Sequence, residues 1–320
     1  MSRMTVPIGV AHLTLLRLAP PELVTVAAEA GYDFVGIRVK AVTDGERQYP
    51  MEPGSPMSKE TLRRLDDTGL TVRDVEFLTL RPDTGPDDWR PALEAGAALG
   101  ASTFSVVGVD PDRGRLTDTL ARLTDDGADF GIRPTLEPIS YQPVSRVADA
   151  AVIARAAGAA VLVDALHVRR GGSSLDDVRA LERDLVPYIQ LCDGPLALPE
   201  ALELPDELPL GMKADGSVLQ VEARVQREVP GEGGFPLAEL LAAVPAATPI
   251  SVEVPHARLQ ARLSAREFAA YNLRAVQALL AREGNPCLTP CPRPRGTPRS
   301  GTTRSTCSFS APAPVASRPP

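Results

Sequence analysis

The chain has 320 residues, of which 43% are hydrophobic and 4% aromatic, so Ala, Val and Leu must build most of any core. Its formal net charge of −7 argues against a nucleic-acid-binding surface, which would be basic. There is no apolar stretch long enough to span a bilayer and no signal-peptide pattern, so we expect a cytoplasmic protein that does not bind membranes.

The first 285 residues alternate short apolar runs with amphipathic helical ones. The apolar runs are interpreted as eight strands, at residues 6–13, 34–39, 70–77, 102–109, 132–136, 160–163, 188–192 and 250–254. Helices are expected at residues 21–30, 58–68, 87–99, 116–130, 144–157, 174–184, 236–243 and 265–282, with Ser58 and Ser264 as candidate caps. This alternation predicts an α/β fold, a single (β/α)8 TIM barrel over residues 1–285.

The last part of the chain has a different composition. Residues 286–320 contain nine Pro and five Arg but no acidic residue, which leaves a net charge of about −12 on residues 1–285. Such a Pro-, Arg- and Ser-rich segment cannot bury enough apolar surface to fold alone, so we predict a disordered tail. A peptide ligand for another protein is the alternative. Three of the four Cys lie in this tail and none forms a Cys-x-x-Cys pair, so neither disulfides nor a zinc site are expected.

Polar residues stand at the ends of four consecutive predicted strands. They are Glu137, Asp164, Gln190 with Asp193 just after it, and Glu253. Because parallel barrel strands direct their carboxyl ends to one place, we expect these side chains to share a site. Hard divalent ions such as Mg²⁺ and Mn²⁺ prefer carboxylate and amide oxygens, and a cation would offset the repulsion among the carboxylates. The alternative is that each carboxylate caps a helix or pairs with an arginine.

Two histidines are candidates for the same site. His167 follows Asp164 at a spacing of three residues, so a helical turn there would direct both side chains the same way. Asp164 could then bind metal while His167 contacts substrate or moves a proton. His12 ends the first predicted strand and would line the same mouth of the barrel. The alternative for each is an ordinary buried or solvent-facing histidine.

Three arginines are candidate substrate ligands. Arg38 lies in the second strand, whereas Arg224 and Arg227 lie in the segment 194–234, which has no clear periodicity. A guanidinium there could clamp a carboxylate, a phosphate or a hydroxyl group. The Gly-rich turn at residues 230–234 would bring backbone close to a ligand. The alternative is a surface loop with solvated charges, although long irregular connections in compact domains are often binding loops.

These residues form five motifs along the chain. They are Thr-Leu-Glu137-Pro, Val-Asp164-Ala-Leu-His167, Ile-Gln190-Leu-Cys-Asp193-Gly, Arg227 before Pro-Gly-Glu-Gly, and Ser-Val-Glu253. In order and spacing they resemble the xylose isomerase-like TIM-barrel superfamily of sugar-phosphate isomerases and epimerases, over about residues 5–283. The resemblance implies one divalent metal ion, Mn²⁺, Mg²⁺ or Co²⁺, held by Glu137, Asp164, Gln190 and Glu253.

The resemblance also implies roles in catalysis. The two glutamates, Glu137 and Glu253, would act as acid and base, and His167 and Arg227 would contact substrate. One position departs from the epimerases, which typically have His where Gln190 stands. The 3-dehydroshikimate dehydratases of the superfamily have Gln there.

The leading hypothesis is therefore a metal-dependent sugar or sugar-phosphate isomerase or epimerase. Glu137 or Glu253 would remove the proton α to the carbonyl of a small polyhydroxy substrate, giving a metal-stabilised enediolate. The second hypothesis is a lyase that dehydrates 3-dehydroshikimate, with His167 as the base and Arg227 or Arg38 on the carboxylate. A barrel that binds a ligand without catalysis is the third. The sequence leaves the number of subunits open, and a homo-oligomer is compatible with it.

Overall fold

A computed structural model of the chain describes residues 6–41, 46–204 and 216–282. These residues all belong to one compact unit. The predicted tail, residues 286–320, lies outside the described residues. Within the described part of the chain, no helix is long and apolar enough to cross a membrane.

One parallel sheet forms the centre of the structure. Its segments are β1 (Ile8–Val10), β2 (Phe34–Arg38), β3 (Thr71–Leu80), β4 (Thr103–Gly108), β5 (Arg133–Glu137), β6 (Ala160–Val161), β7 (Val163–Asp164), β8 (Ile189–Leu191) and β9 (Ile250–Val252). They are ordered β6-β5-β4-β3-β2-β1-β9-β8-β7, and every neighbouring pair is parallel. Segments β6 and β7 are two halves of one strand on either side of Leu162, so the sheet is a nearly closed barrel of eight strands.

Helices lie between the strands. They are α1 (Pro20–Ala30), α2 (Pro56–Thr68), α3 (Pro86–Ala98), α4 (Arg113–Ala128), α5 (Val147–Ala156), α6 (Ala165–Arg170), α7 (Leu175–Arg179), α8 (Val218–Val225), α9 (Leu237–Ala243), α10 (Ala257–Arg262) and α11 (Ala265–Arg282). Ser264 Oγ accepts a hydrogen bond from Glu267 N, which confirms the predicted cap of α11. The alternation of strands and helices confirms the predicted (β/α)8 barrel.

Some elements differ from their predicted bounds. The first strand ends at Val10 rather than at residue 13, because His12–Leu15 forms a 3-10 turn. The third strand extends to Leu80. The segment 194–234 contains helix α8, which begins after the capping residue Ser217. Two of the unpredicted helices, α6 and α10, also begin within a few residues of a strand end, where the candidate site residues lie.

Aliphatic side chains fill most of the core, as the low aromatic content requires. The largest fully buried side chains include Trp89, Tyr32 and Phe34. Gly9 in β1 is required by this packing, because a Cβ there would lie 2.2 Å from the ring of Phe34. Several buried polar side chains stand at the carboxyl ends of the strands, where the apolar filling of the barrel gives way to the candidate site.

Helix α2 is capped by Ser55, not by Ser58 as predicted. Ser55 Oγ accepts a hydrogen bond from Ser58 N at 3.1 Å and donates one to Pro50 O at 2.7 Å. Pro56 occupies the first helical position, where its missing N–H costs nothing. The Ser58 hydroxyl is buried and has no hydrogen-bond partner among the described residues.

These two serines provide a matched pair of variants. We expect Ser55→Ala to lower the free energy of unfolding by about 1 kcal/mol, because it removes the cap. Ser58→Ala should leave the stability unchanged or raise it, because it removes a buried hydroxyl that has no partner. Urea denaturation of both variants would measure this difference. A larger loss in Ser58→Ala than in Ser55→Ala would contradict the assigned cap.

Candidate active site

The four predicted metal ligands meet at the carboxyl end of the barrel. Glu137 ends β5, Asp164 ends β7, Gln190 lies in β8 and Glu253 directly follows β9. None is more than 8% exposed. The register pairs Asp164 with Gln190 across β7 and β8. The parallel sheet thus brings to one place four oxygen-bearing side chains that are far apart in sequence.

The guanidinium of Arg227 joins two of these carboxylates. Its Nη1 lies 2.6 Å from Asp164 Oδ2 and its Nη2 lies 2.9 Å from Glu253 Oε2. Its Nε donates a hydrogen bond to Ala223 O at 2.9 Å, which ties the guanidinium to helix α8. Burial is the largest single influence and acts to raise the pKa of Asp164, but Arg227, His167 and the hydrogen bonds that they donate together lower it. Asp164 is therefore ionised at neutral pH.

Glu253 is held from the other side by Gln190. Gln190 Nε2 donates a hydrogen bond to Glu253 Oε1 at 2.8 Å. The remaining amide oxygen, Gln190 Oε1, is buried and has no hydrogen-bond partner among the described residues. Burial raises the pKa of Glu253 to about 8, although Arg227 opposes the shift. A carboxyl with this pKa can exchange its proton near neutral pH.

Glu137 and His167 lie opposite each other, with His167 Nε2 3.8 Å from Glu137 Oε1. Asp164 Oδ1 accepts a hydrogen bond from His167 N at 3.0 Å, so the helical turn expected after the strand is present as α6. Burial, followed by the charge of Glu253, raises the pKa of Glu137 well above its usual value. Burial lowers the pKa of His167 to about 4, so its ring is neutral at pH 7.

Two residues that the sequence analysis did not single out contact His167. Ser140 N lies 3.3 Å and Ser140 Oγ 3.1 Å from His167 Nδ1. The ring of Tyr141 meets that of His167 edge-on, with centroids 5.9 Å apart. Tyr141 also interacts with Arg224, which puts this predicted substrate ligand near His167. Both missed residues lie in the loop directly after Glu137. Their place in the sequence, just beyond a predicted site residue at a strand end, could have identified them as candidates.

His12 and Arg38 form a second buried group with Glu76, and the charges of Arg38 and Glu76 act on the pKa of Glu253. His12 Nδ1 accepts a hydrogen bond from Arg38 N at 2.9 Å, and His12 Nε2 donates one to Leu18 O at 2.9 Å. With both ring nitrogens bonded to backbone, His12 has a structural role here, and its predicted contact with substrate would need one of these bonds to break. Arg38 lies 2.6 Å from Glu46 Oε2 and 3.5 Å from Glu76 Oε2. A substrate carboxylate would have to compete with these two for the guanidinium.

Asp193 organises the Gly-rich turn rather than joining the four ligands. Its Oδ1 accepts hydrogen bonds from Gly194 N at 2.8 Å and Phe235 N at 2.9 Å, and its Oδ2 accepts one from Gly231 N at 3.0 Å. A Cβ on Gly233 would lie 2.4 Å from Asp193 Oδ1, so the turn requires glycine there. The turn that follows Arg227 is thus fixed to the end of β8.

The side chains at this end of the barrel fit a divalent cation. Glu137, Asp164 and His167 offer ligand atoms that all lie within 4.8 Å of one another. Gln190 adds a buried oxygen without a partner among the described residues. Arg227 neutralises only part of the charge of the three carboxylates, so a cation would relieve the cost of burying the rest. Carboxylate and amide oxygens suit hard ions such as Mg²⁺ and Mn²⁺.

A buried ion pair joins the two helices that flank the site, α6 and α8. Arg170 contacts Glu222 twice, at 2.7 Å from Nε to Oε2 and at 2.6 Å from Nη2 to Oε1. Glu222 is fully buried, and the Arg170 guanidinium also lies 5.0 Å from the centre of the Phe235 ring. This pair fixes α8, and with it Arg227, against the helix that carries His167.

Breaking this pair leaves one buried charge uncompensated. We expect Glu222→Gln to lower the free energy of unfolding by about 3–5 kcal/mol. The matched control is Glu182→Gln, which removes an exposed partner of Arg155. This control should change the free energy of unfolding by less than about 1 kcal/mol. Chemical denaturation would measure both. Equal effects of the two substitutions would show that the buried pair does not hold the helices together.

A pH dependence follows from Glu76. Burial raises the pKa of Glu76 from 4.5 to about 7, against the opposing charge of Arg38. A carboxyl whose pKa is raised on folding stabilises the fold below its unfolded pKa and loses that stabilisation as the pH rises through its folded pKa. Glu76→Gln keeps an acceptor for His12 N and cannot ionise. We therefore expect this variant to gain about 3 kcal/mol over the metal-free parent between pH 4.5 and pH 8.

Urea denaturation of the metal-free parent and of Glu76→Gln at several pH values would test this. The expected result is a stability difference that grows with pH across this range. Parallel curves for the two proteins would mean that Glu76 titrates normally in the folded state.

Comparison with known proteins gives a family and several structures of the same fold. A family model described as xylose isomerase-like TIM barrel matches residues 24–281. A xylose isomerase-like TIM barrel/4-hydroxyphenylpyruvate dioxygenase fusion protein has a TM-score of 0.69 and 20% identity, with 91% of this chain and 47% of that chain covered. The chain thus spans about half the length of that fusion protein. No curated protein matches.

Three further solved structures match along nearly their whole length. The IOLI protein with a binding zinc atom has a TM-score of 0.65 and 14% identity, covering 87% of this chain and 99% of that chain. D-allulose 3-epimerase from Methylomonas sp., in complex with D-allulose, has a TM-score of 0.58 and 17% identity, covering 87% of this chain and 99% of that chain. The probable 3-DHS dehydratase AsbF from Bacillus anthracis has a TM-score of 0.61 and 10% identity, covering 84% of this chain and 98% of that chain. At these identities the structures show a common fold.

Proposed function

The chain belongs to the xylose isomerase-like TIM-barrel family, and on that premise we propose that it is a divalent-metal-dependent isomerase or epimerase of a small sugar or sugar phosphate. The observation that carries the proposal is the pair of buried carboxyls, Glu137 and Glu253, at the mouth of the barrel. Both have a raised pKa. Buried carboxyls with raised pKa values are typical of groups that move protons in enzymes.

The two glutamates would carry out two successive proton transfers, with Glu253 ionised and Glu137 protonated at the start. Glu253, with a pKa of about 8, takes the proton from the carbon α to the substrate carbonyl, and the electron pair moves into an enediolate. Glu137 then returns a proton to the opposite face of that carbon or to the neighbouring carbon. The first outcome is epimerisation and the second is aldose–ketose isomerisation. Either direction of transfer uses the same two groups, because each can hold or release a proton.

The metal would be held by Glu137, Asp164, Glu253 and the free oxygen of Gln190. When bound, it would polarise the substrate carbonyl and stabilise negative charge on its oxygen. Arg227 would keep Asp164 ionised and Glu253 in position. Support comes from the zinc atom in the IOLI structure and from the oxygen-rich donor set of this chain.

The substrate would enter beside the loop after β5. His167, Tyr141 and Arg224 are grouped there, and Tyr141 and Arg224 are only half-buried. Together they offer donors for hydroxyl groups and a cation for a phosphate. The D-allulose bound to the Methylomonas epimerase supports a polyhydroxy carbonyl compound as the substrate class.

A second candidate function is the dehydration of 3-dehydroshikimate. Gln190 favours it, because the dehydratases of the superfamily resemble this chain at that position, and AsbF has the same fold. The same first step would apply: a carboxylate removes the proton α to the carbonyl. A β-hydroxyl then leaves as water. Enolisation of the remaining ketone completes the aromatic ring, so the reaction releases one water in all.

Replacing the two glutamates tests the proposed chemistry. We expect Glu137→Gln and Glu253→Gln each to lower kcat by roughly 10²–10⁴-fold, because an amide cannot take up the substrate proton. Circular dichroism should show an intact fold. Glu182→Gln, far from the site on an exposed ion pair, should keep full activity.

The assay would use metal-free protein with Mn²⁺, Mg²⁺ or Co²⁺ added back, and a panel of ketoses, aldoses and their phosphates beside 3-dehydroshikimate. Metal-dependent interconversion of a sugar supports the isomerase or epimerase. A metal-dependent aromatic ultraviolet band would identify the dehydratase instead. Full activity of both Gln variants would overturn either mechanism.

A further inference from the structure

The hydrogen bonds around the His167 ring define where its proton lies. His167 Nδ1 lies 3.3 Å from Ser140 N and 3.1 Å from Ser140 Oγ. A hydroxyl can donate or accept, but a backbone N–H can only donate. His167 Nδ1 must therefore be an acceptor, and the proton of the neutral ring lies on Nε2.

We propose that Ser140 is a positioning residue whose backbone N–H holds His167 as the Nε2–H tautomer, so that His167 acts as a hydrogen-bond donor beside Glu137 and not as a metal ligand or a base. The role in catalysis rests on the proposed function, but the tautomer itself does not. The ring nitrogen that faces Glu137, at 3.8 Å, is Nε2. Its N–H is thus directed to the side of the site where a substrate oxygen would develop negative charge.

The same contact decides between two sets of metal ligands. By distance alone, His167 could join Glu137 and Asp164 around a cation. A histidine that binds metal through Nε2 carries its proton on Nδ1 and donates it to an acceptor. Here His167 Nδ1 faces the backbone N–H of Ser140. If His167 bound metal through Nε2, its Nδ1–H and the Ser140 N–H would both be donors directed at each other. Gln190 Oε1, which has no partner among the described residues, is the better ligand.

The tautomer also limits the chemistry of His167. A neutral imidazole that holds its proton on Nε2 has no lone pair on that nitrogen with which to remove a substrate proton. In an isomerase or in a dehydratase alike, the base is then one of the carboxylates. His167 Nε2–H donates a hydrogen bond to the substrate oxygen without transferring its proton, since that transfer would leave an imidazolate anion. The interpretation of His167 as the base of a lyase is replaced by this role.

His12 provides an internal control. Its Nδ1 accepts a hydrogen bond from Arg38 N at 2.9 Å and its Nε2 donates to Leu18 O at 2.9 Å, so the backbone defines the same tautomer there. His12 lies in the buried group that contains Arg38 and Glu76. It should show the Nε2–H tautomer whether or not metal is present.

The experiment is nitrogen NMR of the full chain labelled with ¹⁵N in its histidine rings. The chain has three histidines, so His167→Gln assigns the His167 signals by difference. We expect an unprotonated Nδ1 and a protonated Nε2 for His167 at pH 7, as for His12. Addition of Mg²⁺ or Zn²⁺ alone should leave His167 Nε2 protonated. A protonated Nδ1, or loss of the Nε2 proton with metal, would overturn the proposal.

Two variants separate the backbone of Ser140 from its hydroxyl. Ser140→Ala keeps the N–H and should keep the tautomer, whereas Ser140→Asp places a carboxylate beside Nδ1 and should draw the proton to it. If Ser140→Asp does not fold, the parent and Ser140→Ala spectra are decisive. A changed tautomer in Ser140→Ala would assign the effect to the hydroxyl and overturn the backbone role. Inactivity on every substrate would reject the proposed function, yet the spectra would still report the tautomer.

Discussion

The structure of the site depends on how the barrel tolerates three buried carboxylates at one end. Arg227 supplies a single positive charge between Asp164 and Glu253. One guanidinium cannot neutralise three carboxylates, so burial, together with the neighbouring carboxylates, raises the pKa values of Glu137 and Glu253. Asp164 stays ionised because Arg227, His167 and the hydrogen bonds that they donate lower its pKa in spite of burial. The uneven distribution of charge around Arg227 thus leaves one carboxyl, Asp164, permanently ionised and makes the other two, Glu137 and Glu253, able to carry protons.

The surrounding structure keeps this arrangement in place. Asp164 serves twice, because one oxygen caps α6 through His167 N and the other binds Arg227. Arg170 and Glu222 then lock α6 to α8, the helix whose carbonyl at Ala223 holds the Arg227 side chain. The loop after β5 contributes Ser140 to the opposite side of the His167 ring. Each polar group in this part of the site is therefore oriented by at least one neighbour from another barrel unit.

Much of the fold was accessible from the sequence because parallel strands produce short apolar runs with polar residues at their ends. Glu137, Asp164, Gln190 and Glu253 could be grouped on that basis alone. Helix α8 could not be predicted in this way, because the fully buried Glu222 interrupts its apolar pattern. The roles of Ser140 and His12 were also inaccessible, since they depend on backbone N–H and C=O directions that no residue pattern encodes.

The carboxylate of Asp193 has a consequence for how this barrel can diversify. It accepts hydrogen bonds from the backbone amides of Gly231 and Phe235, at the two ends of the Gly-rich turn. Sequence changes at Glu232 between these anchors leave those bonds intact, whereas any Cβ at Gly233 would collide with the carboxylate. A library of variants aimed at new substrates can therefore vary Glu232 without breaking these bonds, although each change removes the hydrogen bond that Glu232 accepts from the Tyr271 hydroxyl. Insertions there would detach the turn from Asp193, whereas the segment that carries Arg227 would still be held by the backbone hydrogen bonds between Glu228 and Asp193.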